Sequence, residues 1–200
     1  FGKRGIPIIS HKNVRIRQSE IHMAYGGIYP FLQNFNVPAH DKDELPTITY
    51  ESKMVLHEGD ETIIIYYFGD GHTDGDSIIK FEKANVVHTG DSFIKYGLPY
   101  IDLSNGGSIK GFIKNLDSII EICDDDTMII PGHGVLSKIQ DVKDFRDGLN
   151  NYYEMSLQGY KEGLSIDQIA QSIDIQLGSS AGIVKVNFIK SILLENNIIL

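Results

Sequence analysis

The sequence predicts an α/β or α+β fold, because segments with strand and with helix periodicity both occur throughout its 200 residues. Two apolar hairpin patterns lie between residues 47 and 88, and three segments with helical spacing follow in the second half. A chain of this length normally forms one domain. We therefore expect a single domain over residues 1-200, in which residues 164-200 form a helical extension.

The N-terminal segment is predicted to alternate between short regular elements and irregular chain. Residues 6–10 are apolar and fit a strand, whereas the polar run at 12–19 fits a helix. Residues 20–43 combine Gly26-Gly27, two prolines and several aromatic residues. A long irregular segment of this kind is either a lid or rim over a site or a packed surface loop. The sequence leaves both interpretations open.

Five further strands are predicted from apolar runs bounded by turn residues. Residues 47–56 and 62–68 flank a polar turn at 58–61, and 77–81 and 86–88 flank a turn at 82–85, so each pair fits a hairpin. The run at 63–68 is continuously apolar, which indicates a strand covered on both faces. A short strand at 127–130 ends at Pro131.

The second half of the chain is predicted to be mainly helical. Residues 108–122 carry apolar side chains at helical spacing, which makes Cys123 at the end of that stripe a buried thiol rather than a reactive one. Residues 138–161 and 184–194 also fit helices. Ser165 and Gln168 form a capping-box pattern that opens a helix ending near Ile173.

Composition excludes several classes of function. The net charge is -9, from 27 acidic and 18 basic residues, and no cluster of Lys or Arg is present, so no nucleic-acid partner is expected. A DNA-binding helix at 164–173 is disfavoured for the same reason. No apolar run approaches the roughly 18 residues of a membrane span, so no membrane partner is expected either. The single cysteine excludes an intrachain disulfide and leaves a soluble cytoplasmic or periplasmic location open.

Three segments share a pattern that favours metal binding. In each, an apolar strand is followed by a glycine-flanked segment that carries an imidazole or a carboxylate: His72 in 68–76, Asp91 in 87–92 and His133 in 130–134. Zinc accepts both kinds of ligand. Each segment alone fits a plain turn or a helix cap equally well. Three of them in one chain predict a site at the strand ends.

In this order, Gly-His-Thr-Asp-Gly-Asp, His-Thr-Gly-Asp and Ile-Pro-Gly-His-Gly resemble the third, fourth and fifth motifs of the metallo-β-lactamase superfamily. The resemblance covers about residues 1–150. It implies an αββα sandwich with zinc ions at one edge between two sheets. It also implies that His72 binds the first zinc, that Asp91 bridges two zinc ions, and that His133 binds the second. No catalytic side chain is implied, because a metal-dependent hydrolase needs no serine or cysteine nucleophile.

The family's His-x-His-x-Asp-His motif does not occur in this sequence. In relatives it lies just upstream of a segment resembling residues 1–11, so the fold is expected to be incomplete at its N-terminus. A complete member would hold up to two zinc ions and act on a small-molecule substrate, whereas weak or partial zinc binding and no activity are expected here. The alternative is a non-catalytic binding or assembly protein descended from such an enzyme.

Residues near the three motifs have two interpretations each. His88 either faces the site or bonds to a neighbouring loop. Asp74 is interpreted as a residue that orients His72. Asp76 either has the same role or caps the loop. The aromatic segment 96–105 either lines a substrate pocket or packs internally.

Together with the His-x-His-x-Asp-His motif, most of the first β-sheet of the sandwich is expected to be absent, which predicts an open apolar face on the second sheet. Several of the following side chains are expected there: Ile63, Ile65, Tyr67, Ile79, Phe81 and Val87. We expect a homo-oligomer, a swapped segment or the chain's own C-terminal residues to cover this face. The alternative is that an N-terminal segment of the complete protein covers it.

Overall fold

The computed structural model describes residues 1–24, 35–177 and 182–198, and a six-stranded sheet forms its centre. The strands of the described residues are β1 (Ile9–His11), β2 (His22–Ala24), β3 (Phe35–Val37), β4 (Ile48–Tyr50), β5 (Lys53–Glu58), β6 (Glu61–Tyr66), β7 (Ile78–Phe81), β8 (Val86–Ile94), β9 (Met128–His133) and β10 (Ser137–Lys138). The helices are α1 (Lys12–Gln18), α2 (Ile109–Glu121), α3 (Ile139–Lys161), α4 (Ile166–Ser172) and α5 (Gly182–Glu195).

The central sheet has the order β10-β9-β8-β7-β6-β5, and its neighbours are antiparallel except for the parallel pair β8–β9. Both predicted hairpins are confirmed as β5–β6 and β7–β8. The connection from β8 to β9 runs through α2, as a parallel pair requires a crossover. Outside this sheet, the described residues form only the two-stranded pairs β1–β4 and β2–β3.

The segment 20–43 is more regular than its composition suggested. Strands β2 and β3 pair antiparallel within it, with His22 opposite Val37. The interpretation of the whole segment as irregular is therefore wrong at these strands. Residues 25–34 lie outside the described residues, and the role of the segment as a lid or rim stays a prediction.

Helices α2 and α3 cover one face of the six-stranded sheet. Ile78, Val87 and Ile129 are fully buried there with Leu116 of α2 and Leu149 of α3. The same core continues into the C-terminal residues, where the following side chains are at most 2% exposed: Ile169, Ile173, Phe188, Ile189, Ile192 and Leu193. Ser165 caps α4 as predicted, and its hydroxyl accepts the Gln168 backbone N–H. The C-terminal helices are thus packed into the core that supports the sheet.

The opposite face of the sheet is partly exposed. Register places Ile63, Ile65, Ile79 and Phe81 on this outer face, and of these only Ile65 is buried, at 6% exposure. The prediction for Val87 is wrong, because Phe81 pairs with Val86, so that the odd-numbered residues of β7 share a face with the even-numbered residues of β8.

Two further expectations have clear outcomes. Tyr67 lies beyond β6 and stacks on His11 with ring centroids 3.9 Å apart, so it is not part of the open sheet. In the continuously apolar run at 63–68, only Ile64 and Ile65 are buried, so coverage on both faces is local.

No helix among the described residues combines the length and apolar character needed to cross a bilayer.

Candidate metal centre

His72 lies in the connection between β6 and β7, and hydrogen bonds from a distant segment fix its ring. Its Nδ1 lies 2.7 Å from the carbonyl oxygen of Tyr100, and its own carbonyl accepts the Asp102 N–H at 2.9 Å. Because a carbonyl oxygen only accepts, Nδ1 carries the proton and the Nε2 lone pair is left for another partner. The ring is therefore oriented with a metal-binding nitrogen directed away from Tyr100.

Asp91 and His133 lie within paired strands rather than in loops after them. Asp91 is in β8 and His133 is the last residue of β9, and the parallel pairing of these strands continues from Gly90–Pro131 to Ile94–His133. The expectation that these two residues follow the ends of their strands is thus wrong in detail. An irregularity of the register at Gly90, whose φ is 50°, redirects β8 just before Asp91.

The three predicted residues converge on the Asp91 carboxylate. His72 Nε2 lies 3.5 Å from Asp91 Oδ2, and His133 Nε2 lies 3.4 Å from Asp91 Oδ1. Both distances exceed the usual 2.7–3.2 Å of an N–H···O hydrogen bond. Two donors that share a tetrahedral zinc ion at roughly 2.0–2.1 Å lie about 3.3–3.4 Å apart. The geometry therefore fits one imidazole and one carboxylate oxygen around each of two metal positions.

Within the described residues, no group of three or more His, Cys, Asp or Glu side chains surrounds a single point. This finding agrees with the paired geometry, since each oxygen of Asp91 faces only one histidine. Each metal position would thus receive two ligands from the described side chains. A four-coordinate zinc ion needs further ligands at both positions.

Aromatic side chains flank both histidines. The Tyr96 ring meets the His133 ring edge-on at 5.3 Å, and the Tyr100 ring meets the His72 ring edge-on at 5.9 Å. Burial, and secondarily the Asp91 carboxylate, raises the pKa of Tyr96 above its usual value, so its phenol stays neutral at physiological pH. The side chains of His72, Asp91 and His133 are 20%, 37% and 54% exposed, so the site is open to solvent beside these rings.

The remaining polar residues hold the site's backbone rather than its imidazoles. Asp76 accepts the Thr73 backbone N–H at 2.9 Å and the Thr73 hydroxyl at 2.8 Å, which is the capping role. Asp74 forms an ion pair with Arg17 of α1 at 2.6 Å. His88 Nδ1 accepts the Gly90 N–H at 3.0 Å, which supports the turn before Asp91.

The partner that orients His72, the Tyr100 carbonyl, was missed by sequence reasoning. A backbone carbonyl has no side-chain signature, so the aromatic segment 96–105 pointed to this region without identifying the contact. Gly107 is the nearest available signal, because a Cβ there would lie 2.5 Å from the His72 carbonyl oxygen. It marks a close approach of the two segments.

Comparisons with known proteins identify the fold. No family model and no curated relative matches the sequence. Among solved structures, a metallo-β-lactamase from Pontibacter korlensis aligns with a TM-score of 0.54 and 13% identity over 74% of this chain and 60% of its own. The sec-alkylsulfatase Pisa1 from Pseudomonas sp. aligns with a TM-score of 0.62 and 12% identity over 94% of this chain and 36% of its own. The BLEG-1 B3 metallo-β-lactamase gives 0.52 and 20% identity over 68% and 61%.

The chain therefore has the metallo-β-lactamase fold, as the motifs predicted. It spans 60% of the Pontibacter enzyme and 36% of the sulfatase. Identities of 12% to 20% establish the fold alone.

Proposed function

We propose that this chain is part of a metal-dependent hydrolase and supplies it with three zinc ligands, His72, Asp91 and His133. The observation that carries the proposal is that each oxygen of the Asp91 carboxylate faces a different histidine. Oδ2 lies 3.5 Å from His72 Nε2, and Oδ1 lies 3.4 Å from His133 Nε2. A plain ion-paired aspartate would have no need of a histidine on each oxygen. A carboxylate that held two metal ions, one on each oxygen, would show this arrangement.

Zinc bound at these residues would lower the pKa of a water molecule to near neutrality, for attack on a carbonyl or phosphoryl centre. The residues of this chain hold the ligands in place for such chemistry. The Tyr100 carbonyl keeps the proton of His72 on Nδ1, which leaves Nε2 free to bind a metal. Tyr96 and Tyr100 lie beside the two histidines, where they would border a small-molecule substrate.

A second candidate is a non-catalytic binding or assembly protein. It is favoured by one observation, the supply of only two ligands per metal position by the described side chains. Two ligands bind zinc weakly, and a fold can persist after its chemistry is lost. The two candidates differ in whether the site retains measurable zinc affinity.

Calorimetric titration of the metal-free chain with zinc tests the proposal. We expect binding that His133→Ala and Asp91→Asn each weaken at least tenfold. His57→Ala is the matched control, because His57 is exposed on β5. The zinc affinity of this variant should equal that of the unchanged chain. Equal loss in His57→Ala and His133→Ala, or no binding at all, would contradict the proposal and favour the non-catalytic protein.

A further inference from the structure

Glu195, the last residue of α5, lies at the beginning of α2. Its Oε1 accepts the Ser108 hydroxyl at 2.5 Å and the Lys110 N–H at 3.4 Å, and its Oε2 accepts the Ile109 N–H at 3.2 Å. The Ile109 and Lys110 N–H groups lie in the first turn of the helix and have no partner within it, and a carboxylate is favoured there by hydrogen bonding and by the helix dipole. Glu195 of the C-terminal helix thus caps a helix whose first residue, Ile109, lies 86 residues earlier.

The beginning of α2 is in turn bonded to the His72 segment. The Ser108 N–H donates to the Gly71 carbonyl at 2.9 Å. Gly111 packs directly against the Asp70 carbonyl, where a Cβ would overlap the oxygen. Gly71 immediately precedes His72, so one hydrogen bond and one close backbone contact link the first turn of α2 to the segment that carries the histidine.

The end of α5 is itself held rigidly. Ile192 and Leu193 of α5 are fully buried. The Asn196 side chain donates from Nδ2 to the hydroxyl of Tyr153, a residue of α3, at 2.7 Å. Lys110 of α2 donates to Asn196 Oδ1 at 3.3 Å. The Glu195 carboxylate is therefore fixed by the core, and it transmits this fixed position to Ser108.

We infer that Glu195 is a positioning residue for the metal centre, acting through Ser108 and Gly71 on His72. This assigns to the C-terminal helical segment the task of fixing one half of the site. The inference rests on the proposed function for its effect on zinc, but its effect on the position of His72 is independent of any metal.

The test uses the full 200-residue chain, labelled with ¹⁵N, and the variant Glu195→Gln. The amide NH₂ of glutamine cannot accept the Ile109 N–H, so the cap is weakened while the side-chain shape is kept. In the metal-free chain we expect shifted resonances for the Gly71 and His72 amides and for the His72 imidazole nitrogens. Zinc affinity, measured by competition with a chromophoric chelator, should fall about tenfold, as for other losses of support around a ligand.

Glu162→Gln is the matched control, because Glu162 is exposed at the C-terminal end of α3 and its carboxylate accepts a hydrogen bond from Gln158, far from α2 in the sequence. Its His72 signals and zinc affinity should not change. Ser108→Ala keeps the backbone bond to Gly71 but removes the hydroxyl, which donates to Glu195 and accepts the Gly111 N–H. It should therefore shift the same His72 signals as Glu195→Gln. The effect of the double variant on these signals should fall short of the sum of the two single effects, because both changes act through the first turn of α2. Ser108→Ala also serves as the second variant if Glu195→Gln does not fold.

A lower Tm with unchanged His72 signals and unchanged zinc affinity would overturn the inference, since Glu195 would then be only a helix cap. If the unchanged chain binds no zinc, the proposed function fails, and the His72 signals of the metal-free variants still decide the role of Glu195.

Discussion

Gly132 lies directly against the Asp91 carboxylate, and a Cβ at position 132 would overlap Asp91 Oδ1 and the backbone of Gly90. A glycine fits before His133 because the Asp91 carboxylate occupies the space that a side chain would need. This contact links the second and third motifs through packing, in addition to the strand pairing.

Gly132→Ala should therefore push the Asp91 carboxylate out of line with His133. We expect zinc affinity to fall at least tenfold and stability to fall by about 1–3 kcal/mol, the usual cost of overpacking. Chemical denaturation and zinc titration measure the two effects. Gly5→Ala is the matched control, because its Cβ meets no atom but its φ of 71° costs about 1–2 kcal/mol in a non-glycine residue. Loss of zinc affinity in Gly5→Ala as well would refute the specific role of Gly132.

Much of this site could be predicted from local sequence. The hairpins follow from apolar runs and turns, and His72, Asp91 and His133 follow from three glycine-flanked segments. The long-range contacts could not be predicted. The placement of Asp91 and His133 within strands depends on the parallel pairing of β8 and β9, and the face of Val87 depends on the exact register of one hairpin. The contact of Glu195 with Ser108 joins residues that no local pattern relates.

The Cys123 thiol should react slowly with thiol reagents in the native protein. Burial raises its pKa to about 11, so little thiolate is present at pH 8. We expect a chromogenic disulfide reagent to label it much more slowly in the native chain than in the urea-unfolded chain. Folding raises the pKa of the Cys123 thiol. Its contribution to the free energy of unfolding is therefore complete below the pKa of the unfolded thiol, and it is lost as the pH rises toward about 11. Equal labelling rates at pH 8 would show that the thiol is not protected.

The outer face of the sheet should drive self-association of the isolated chain. Ile63, Ile79 and Phe81 are partly exposed on it, and soluble monomers rarely leave such a face uncovered. Light scattering should show dimers or larger species at micromolar concentration, which Ile79→Lys shifts toward the monomer. Met155→Lys, on the exposed side of α3, should change nothing. A stable monomer with sharp cooperative unfolding would contradict the prediction that the chain self-associates through this face.

Hydrolysis by the 200-residue chain alone should be negligible even with zinc present. The described side chains would give only two ligands to each proposed metal position, and a four-coordinate zinc ion needs more. Assays with ester, phosphodiester and lactam substrates should match the rate of the His133→Ala variant. Robust zinc-dependent turnover that His133→Ala abolishes would show that the ligand set is complete.

X-ray absorption at the zinc edge of the zinc-loaded chain tests the central claim most directly. We expect a first shell of nitrogen and oxygen atoms at roughly 2.0–2.1 Å with the outer-shell scattering of imidazole, which His72→Ala and His133→Ala each reduce. Asp91→Asn should lower zinc occupancy without introducing sulfur scattering. Sulfur at roughly 2.3 Å, or a spectrum without imidazole scattering, would contradict the assignment of His72, Asp91 and His133 as the zinc ligands.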